Sequence, residues 1–237
     1  YYCVKKINGI YYGFDNDGNM FDDCAFWIND YSDTETKSYR YRALPGGALC
    51  ADCWSTTEYG EECYYGSDAA AYTGLIERNG SQIAVVDGIP CRNSDFSFDG
   101  KYYWANDDYT LTELKNNDWT YIDSDSCRGY RYVKDGKILK DCVEKIGAYY
   151  YCFDSNGVMQ TNGVVTIWNP SAKTYYADEN GHLKKNFWFS RSRELTFDKG
   201  NTEPNLYNQI LYFGDNFESC SGFQTIDGKL YYFASHN

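Results

Sequence analysis

An acid-rich turn near the start of the chain has the residue types of a cation-binding loop. It reads "DNDGNM" from Asp15 onward, with Asp15 and Asp17 ahead of a glycine. An EF-hand loop needs further oxygen ligands and a later glutamate, and this chain has Cys24 at the glutamate position. The related turns at Asp154 and Asp178 lack the second aspartate. The sequence therefore predicts turns here and no metal site.

Groups that could perform catalysis form no recognisable pattern. The histidines are His182 and His236, and neither accompanies a serine or cysteine nucleophile in a known signature. The chain has 34 acidic residues, and those in the repeated turns are expected to face solvent. A glycosidase instead fixes a pair of carboxylates across a cleft. We therefore predict no enzyme activity, no catalytic residue and no cofactor.

Aromatic side chains offer a different chemistry. The chain contains 26 Tyr, 13 Phe and 6 Trp, while Met occurs only twice. The CH face of a sugar, or a quaternary ammonium, can rest on such rings. Most of the tyrosines must nevertheless build the interior, because aliphatic side chains are sparse. Binding is therefore expected only where a ring stays exposed.

Charge and hydropathy narrow the class of partner. The net charge of −12 and the pI of about 4.6 disfavour a nucleic-acid partner. No apolar run has the length of about 18 residues that membrane insertion needs. No signal peptide is visible at the start, and we expect a fragment of a longer protein. Ten cysteines in a Tyr-rich chain suit an oxidising, extracellular setting.

A short sequence motif, the repeated word, recurs along the chain and contains many of these residues. A tyrosine pair, a turn with Gly and an apolar residue recur from "YYGFDNDGNM" near the start to "GKLYYF" near the end. We count about eleven units of roughly 20 residues. Each unit reads as a β-hairpin, because aromatics favour strands and Asp with Gly favours the turn. The predicted fold is all-β, a β-solenoid of stacked hairpins forming one domain over residues 1–237.

The best-preserved units resemble the bacterial cell-wall-binding repeat. That repeat reads approximately Gly-Trp-x-x-x-x-Gly-x-x-Tyr-Tyr-Phe-Asp-x-x-Gly-x-Met, and residues 163–183 and 222–233 are similar to it. The family includes choline-binding modules, glucan-binding domains of glucansucrases and receptor-binding repeats of clostridial toxins. The resemblance implies a hairpin solenoid whose ligands lie between consecutive hairpins, against aromatic walls.

The chain departs from this family at the usual Trp of each unit. That position holds Cys24, Cys53, Cys142, Gly163 and Phe187, and the tryptophans stand elsewhere. Rings near a displaced tryptophan are the candidate ligand-binding residues. They are Trp27 with Tyr39 and Tyr41, Trp54 with Tyr64 and Tyr65, Trp188 with Tyr175, and Trp104, with Trp119 and Trp168 as further possibilities.

Cysteine positions suggest links between hairpins. Cys53 and Cys63 have the same spacing as Cys142 and Cys152, and in stacked repeats each pair would be neighbours. We predict these two disulfides, and Cys3 with Cys24 as a third candidate. The alternative is that some cysteines are small buried apolar residues that stay reduced.

Two functions remain open. The first is a non-catalytic glycan- or cell-wall-binding module of a secreted or surface-attached bacterial protein, with a cell-wall polysaccharide as partner. The alternative is a protein-binding adhesin, or a toxin-like module that binds a host surface protein. Long inserts at 29–38 and 199–209 motivate the alternative.

Overall fold

The structure is a computed structural model, and it describes residues 2–31, 36–168, 170–195 and 205–234. Within these ranges the secondary structure consists of strands and turns, with no α-helix. The all-β class is therefore confirmed. No helix in the described ranges is long and apolar enough to cross a membrane. Both inserts at 29–38 and 199–209 fall partly outside the described residues.

The chain divides into two compact units. Unit 1 comprises Tyr1–Leu114 and Ser124–Ser126, and unit 2 comprises Lys115–Asp123 and Cys127–Asn237. The strands of unit 1 are β1 (Cys3–Ile7), β2 (Ile10–Phe14), β3 (Ala25–Asp30), β4 (Lys37–Arg42), β5 (Cys53–Thr56), β6 (Glu62–Tyr65), β7 (Gly74–Arg78), β8 (Ser81–Val86), β9 (Ile89–Pro90), β10 (Ser94–Phe98), β11 (Lys101–Ala105) and β12 (Leu111–Leu114). Those of unit 2 are β13 (Trp119–Asp123), β14 (Arg128–Lys134), β15 (Lys137–Ile138), β16 (Cys142–Ile146), β17 (Tyr149–Phe153), β18 (Gly163–Ile167), β19 (Lys173–Ala177), β20 (Phe187–Leu195), β21 (Asn205–Phe213), β22 (Gly222–Ile226) and β23 (Lys229–Phe233). The prediction of one domain stays a prediction.

Every sheet is a small antiparallel hairpin or a hairpin with one added strand. Two-stranded sheets are β1–β2, β3–β4, β5–β6, β16–β17, β18–β19, β20–β21 and β22–β23. Three-stranded sheets are β7–β8–β9, β10–β11–β12 and β13–β14–β15. This confirms that the repeated word folds as hairpins.

The acid-rich turns use their carboxylates to hold the backbone. Asp15 Oδ1 accepts hydrogen bonds from the backbone N–H groups of Asp17 (2.9 Å) and Asn19 (2.8 Å). Asp154 and Asp178 accept the same pair of bonds in their own turns. Hydrogen bonds from Asn19, through its side chain first, lower the pKa of Asp15. The carboxylate thus has a structural role in each turn, as the sequence predicts.

A recurring hydrogen bond joins one hairpin to the preceding one within each unit. In unit 1 the Leu49 N–H donates to the Tyr11 carbonyl (2.8 Å). In unit 2 the Leu183 N–H donates to the Tyr150 carbonyl (2.9 Å), and the Ser219 N–H to the Thr174 carbonyl (2.8 Å). The donor always follows the second strand of its hairpin. Small apolar clusters fill the space between the hairpins, such as the one formed by Cys152, Ile167, Tyr175, Ala177 and Leu183.

The cysteine pairing differs from the prediction. Cys53 forms a disulfide with Cys50 rather than with Cys63. Within the β5–β6 hairpin Cys53 lies opposite Tyr65, and Cys63 lies opposite Ser55. The β-carbons of a diagonal pair of this kind are farther apart than the β-carbons of a disulfide.

The other two predicted disulfides are also not formed, and Cys3, Cys24, Cys142 and Cys152 are free thiols. The strand register of the β16–β17 hairpin explains why Cys142 and Cys152 are not bonded. Cys142 lies opposite Phe153, one residue from Cys152, so the two side chains leave opposite faces of the same hairpin. Cys152 is fully buried, and burial raises its pKa to about 12. It packs as a small apolar residue, which is the alternative that the sequence left open.

Candidate aromatic ligand sites

The most open aromatic cluster surrounds Trp188 in unit 2. Trp188 is the second residue of β20 and pairs across the hairpin with Tyr212, their ring centroids 4.8 Å apart. The next hairpin adds Tyr231 at 5.1 Å and Phe233 at 5.9 Å. Tyr231 and Phe233 alternate along β23, so they share one face. We call these four rings the Trp188 cluster, and its indole remains 40% exposed.

Acidic groups lie beside this cluster. The Tyr212 hydroxyl donates to Asn186 Oδ1 (3.3 Å), and the Asn186 amide donates to Asp215 (2.8 Å). Desolvation raises the pKa of the Tyr212 phenol, and the carboxylates of Asp227 and Asp215 raise it further. The cluster therefore offers exposed π faces in a negative surrounding. Such a surface can stack on the CH face of a sugar or on an organic cation.

The second displaced tryptophan, Trp54, lies in a covered cluster of unit 1. Trp54 pairs with Tyr64 across the β5–β6 hairpin, with centroids 5.4 Å apart. The Arg78 guanidinium lies 4.2 Å from the centroid of the Trp54 ring. Two hydrogen bonds of 3.1 and 2.8 Å fix this guanidinium to the carboxylate of Glu62. We call these residues the Trp54 cluster, in which a side chain of the protein already covers one indole face.

Trp27 and Tyr39 line one cavity of unit 1, although Trp27 lies on the other face of its hairpin from Tyr39 and Tyr41. In the β3–β4 hairpin it lies opposite Arg40, and the Arg40 guanidinium carbon is 5.4 Å from its ring centroid. Tyr39 and Tyr41 lie opposite Ile28 and Phe26, on the other face of the sheet. Tyr41 stacks on Phe26 with centroids 5.4 Å apart.

Three further candidates are buried. Trp104 is 5% exposed, and Tyr65 and Tyr175 are equally enclosed. Burial is the main cause of the raised pKa of both tyrosines, which reaches about 12 for Tyr175 beside Glu218. These rings build the interior of their hairpins rather than an open wall. Trp188 therefore meets Tyr212 and Tyr231 in place of its predicted partner Tyr175.

Sequence reasoning did not select Tyr212, Tyr231 and Phe233. A signal for them exists in the repeated word, because "LYFGD" and "LYYF" follow Trp188 in the two tyrosine words that come next. Of the remaining tryptophans, Trp119 packs among Tyr132, Tyr151 and Phe153. Trp168 is exposed at the end of β18.

The chain has a sequence relative among curated proteins. No protein-family model matches the chain. Glucosyltransferase-I of Streptococcus downei is 26% identical over 212 residues, which cover 82% of this chain. The chain spans only 12% of the length of that relative.

Solved structures similar to this chain include two from Streptococcus pneumoniae. Choline-binding protein F is 18% identical, with 98% of this chain and 84% of that chain covered and a TM-score of 0.44. CbpJ is also 18% identical, with 98% and 85% covered and a TM-score of 0.44. Alternansucrase in complex with isomaltononaose is 21% identical, with 94% and 18% covered and a TM-score of 0.29. The streptococcal glucosyltransferase is one of the kinds of protein that the repeated word resembles.

Proposed function

We propose that this chain, whose repeats resemble those of choline- and glucan-binding proteins, is a non-catalytic module that binds cell-wall or extracellular glycans. The Trp188 cluster carries this proposal. An indole that is 40% exposed lies among three rings supplied by two successive hairpins. A sugar ring can stack there through its CH face while its hydroxyls stay hydrated.

A solenoid of stacked hairpins is the architecture that we propose for the module. The support is the recurring hydrogen bond from each hairpin to the preceding one, at Leu49, Leu183 and Ser219. A lone hairpin is marginally stable, so stacking also explains how short aromatic strands stay folded. Repetition then multiplies weak sites on a polymeric ligand. Such a module would serve a secreted or surface-attached bacterial protein.

A glucan is the ligand class that we favour. The sequence match is to a glucosyltransferase, and this chain corresponds to a small part of that protein's length. We assign no transferase activity to the chain. The proposed role is to hold the polymer.

A quaternary ammonium ligand is the second candidate. The observation that favours it is the pair of carboxylates, Asp215 and Asp227, whose charges raise the pKa of Tyr212 in the cluster. A cation over aromatic faces gains about 0.5–2 kcal/mol, depending on desolvation. Choline is the simplest probe for this possibility.

Isothermal titration with isomalto-oligosaccharides tests the proposal. We expect millimolar or tighter binding by the wild type and a loss of about thirtyfold in Trp188→Ala, which corresponds to about 2 kcal/mol for a central aromatic contact. The matched control is Tyr59→Ala, because Tyr59 is an exposed ring outside the cluster. Binding of choline but of no saccharide would favour the second candidate. Equal affinity of Trp188→Ala and the wild type would show that the Trp188 cluster does not bind the saccharide.

A further inference from the structure

A cavity in unit 2 has the make-up of a polymer-binding groove. It has a volume of about 690 Å³ and is lined by residues of the β18–β19, β20–β21 and β22–β23 hairpins. This volume falls within the range of about 300–1,000 Å³ that is usual for ligand sites. Trp168 and Tyr232 line the groove and are 71% and 67% exposed.

Polar side chains line the same groove in hydrogen-bonded pairs. The pairs are Thr166 with Thr174 (3.1 Å), Lys173 with Glu218 (2.6 Å), and Arg191 with Gln209 (2.7 Å). Each partner is held by the other, so little side-chain freedom is lost when a ligand adds further hydrogen bonds. The lining therefore combines fixed donors and acceptors with apolar ring faces.

Trp168 is an exposed ring in the described part of the chain. Its indole makes no ring contact with another aromatic side chain in the part of the chain that the structure describes. Leaving so large an apolar surface in water forgoes the free energy of its burial. A ligand that covers the ring would recover that free energy.

Charge distinguishes this groove from the Trp188 cluster. Among the lining residues that the structure describes, Lys173 and Arg191 are cationic and Glu218 is acidic. An organic cation is therefore disfavoured in the groove, whereas carboxylates surround the Trp188 cluster. A neutral chain with CH faces and many hydroxyls satisfies both the rings and the hydrogen-bonded pairs.

Arg191 and Gln209 line the groove from the face of the β20–β21 hairpin opposite to Trp188. Trp188 and Arg191 are separated by an odd number of positions on β20, so their side chains leave the sheet on opposite sides. Gln209 lies opposite Arg191 and shares its face. Phe233 of the Trp188 cluster also lines the groove, so the two regions adjoin and share that ring.

We propose that this groove binds an extended, neutral glycan chain through several consecutive sugar rings, with Trp168 and Tyr232 as stacking platforms. The inference rests on the proposed function, since it requires that the module binds glycans. It adds a region beside the Trp188 cluster with its own stacking residues, a preference for longer chains and no affinity for cations.

An oligosaccharide ladder from isomaltose to isomaltononaose tests this inference by isothermal titration. We expect wild-type affinity to rise with chain length. Trp168→Ala and Tyr232→Ala should each weaken binding of the longest chain by about tenfold, or about 1.4 kcal/mol, and leave isomaltose binding unchanged. Choline should not displace the long chain from Trp188→Ala. Tyr59→Ala is again the control, and unchanged circular dichroism establishes that the variants fold.

The outcomes separate the two proposals. If Trp188→Ala weakens binding but Trp168→Ala and Tyr232→Ala bind the longest chain as the wild type does, the groove is not a site and the proposed function stands. If affinity does not rise with chain length, the groove proposal is likewise overturned. If the wild type binds no member of the ladder, both proposals fall.

Discussion

The Trp54 and Trp188 clusters share a cross-strand Trp–Tyr pair and differ in what the following hairpin adds to it. Each tryptophan is the second residue of a hairpin and pairs with a tyrosine across it, at 5.4 Å for Trp54 and 4.8 Å for Trp188. The following hairpin then completes the cluster. It contributes the Arg78 guanidinium at Trp54, and the Tyr231 and Phe233 rings at Trp188.

Under the proposed function, this difference determines which cluster we expect to accept a ligand. Arg78 occupies one face of Trp54 as a built-in cation, and its two hydrogen bonds to Glu62 hold it there. At Trp188 the neighbouring rings form walls, and the indole remains exposed. The same repeated word therefore gives a tryptophan covered by an arginine or an exposed one, according to what the next hairpin contributes.

Two matched Asp-Gly turns test how firmly the clusters are held. Asp87–Gly88 and Asp227–Gly228 both have positive φ at the two central residues, as a tight hairpin turn requires. Gly88 also bonds to its surroundings, because its carbonyl accepts from the Tyr64 N–H (2.9 Å) and its N–H donates to the Tyr72 carbonyl (2.7 Å). Gly228 has nothing within 4 Å of the position of a Cβ atom.

The largest expected effect is therefore that of Gly88→Ala. Its Cβ would overlap the Cys63 sulfur and lie 2.7 Å from the Tyr64 carbonyl oxygen. Backbone strain and overpacking together should lower the free energy of unfolding by about 3 kcal/mol. Gly228→Ala meets strain alone and should cost about 1 kcal/mol. Urea denaturation measures both, and equal losses would show that Gly88 does not hold the Trp54 cluster.

Opening the Trp54 cluster is the next test, through Arg78→Ala. Losing the cation–π contact and a half-exposed ion pair should cost about 1 kcal/mol of stability. Acrylamide should then quench Trp54 fluorescence more strongly, and titration with isomalto-oligosaccharides should gain a weak site.

Arg128→Ala is the matched control for this test. It removes an ion pair of similar length, to Asp123 (2.9 Å), in the β13–β14 hairpin of unit 2. Unchanged quenching and stoichiometry in Arg78→Ala would mean that the guanidinium does not close the site.

The hairpins could be predicted from the sequence, but the face of the sheet on which each ring lies could not. Aromatic pairs and Asp-Gly turns are local signals, and both fold as predicted. In the pair Tyr64–Tyr65, alternation requires one ring to face inward, but the pattern does not say which. The structure buries Tyr65 beside Cys63 and places Tyr64 against Trp54. That choice depends on the register between strands and on the next hairpin, which are long-range properties.

The predicted disulfides were wrong for the same reason. Equal spacing in sequence suggested contact between stacked units, but Cys53 and Cys63 belong to the two strands of one hairpin. Their separation follows from the register of that hairpin. A local partner, Cys50, takes the disulfide instead.

Acid should loosen the Trp54 cluster and leave the Trp188 cluster in place, and this is the smallest effect that we predict. The hydrogen bonds from Arg78 lower the pKa of Glu62 below its ordinary value of 4.5. A carboxyl group whose pKa is lower in the folded chain than in the unfolded chain stabilises the fold. That stability is fully present above the unfolded-state pKa and is lost as the pH falls through the folded-state pKa. Protonated Glu62 no longer pairs with the guanidinium, so Arg78 is freed from the Trp54 face at a pH below about 4.5.

A fluorescence titration from neutral pH to acid checks this difference between the clusters. We expect a change in Trp54 emission at acid pH in the wild type, and none in Glu62→Gln, whose side chain has no carboxylate to protonate. Trp188→Phe should keep the transition, because no ion pair covers that indole among the described residues. A transition of equal size in Glu62→Gln would assign it to another acid. In that case packing over Trp54, rather than the charge of Glu62, would hold the Arg78 guanidinium in place.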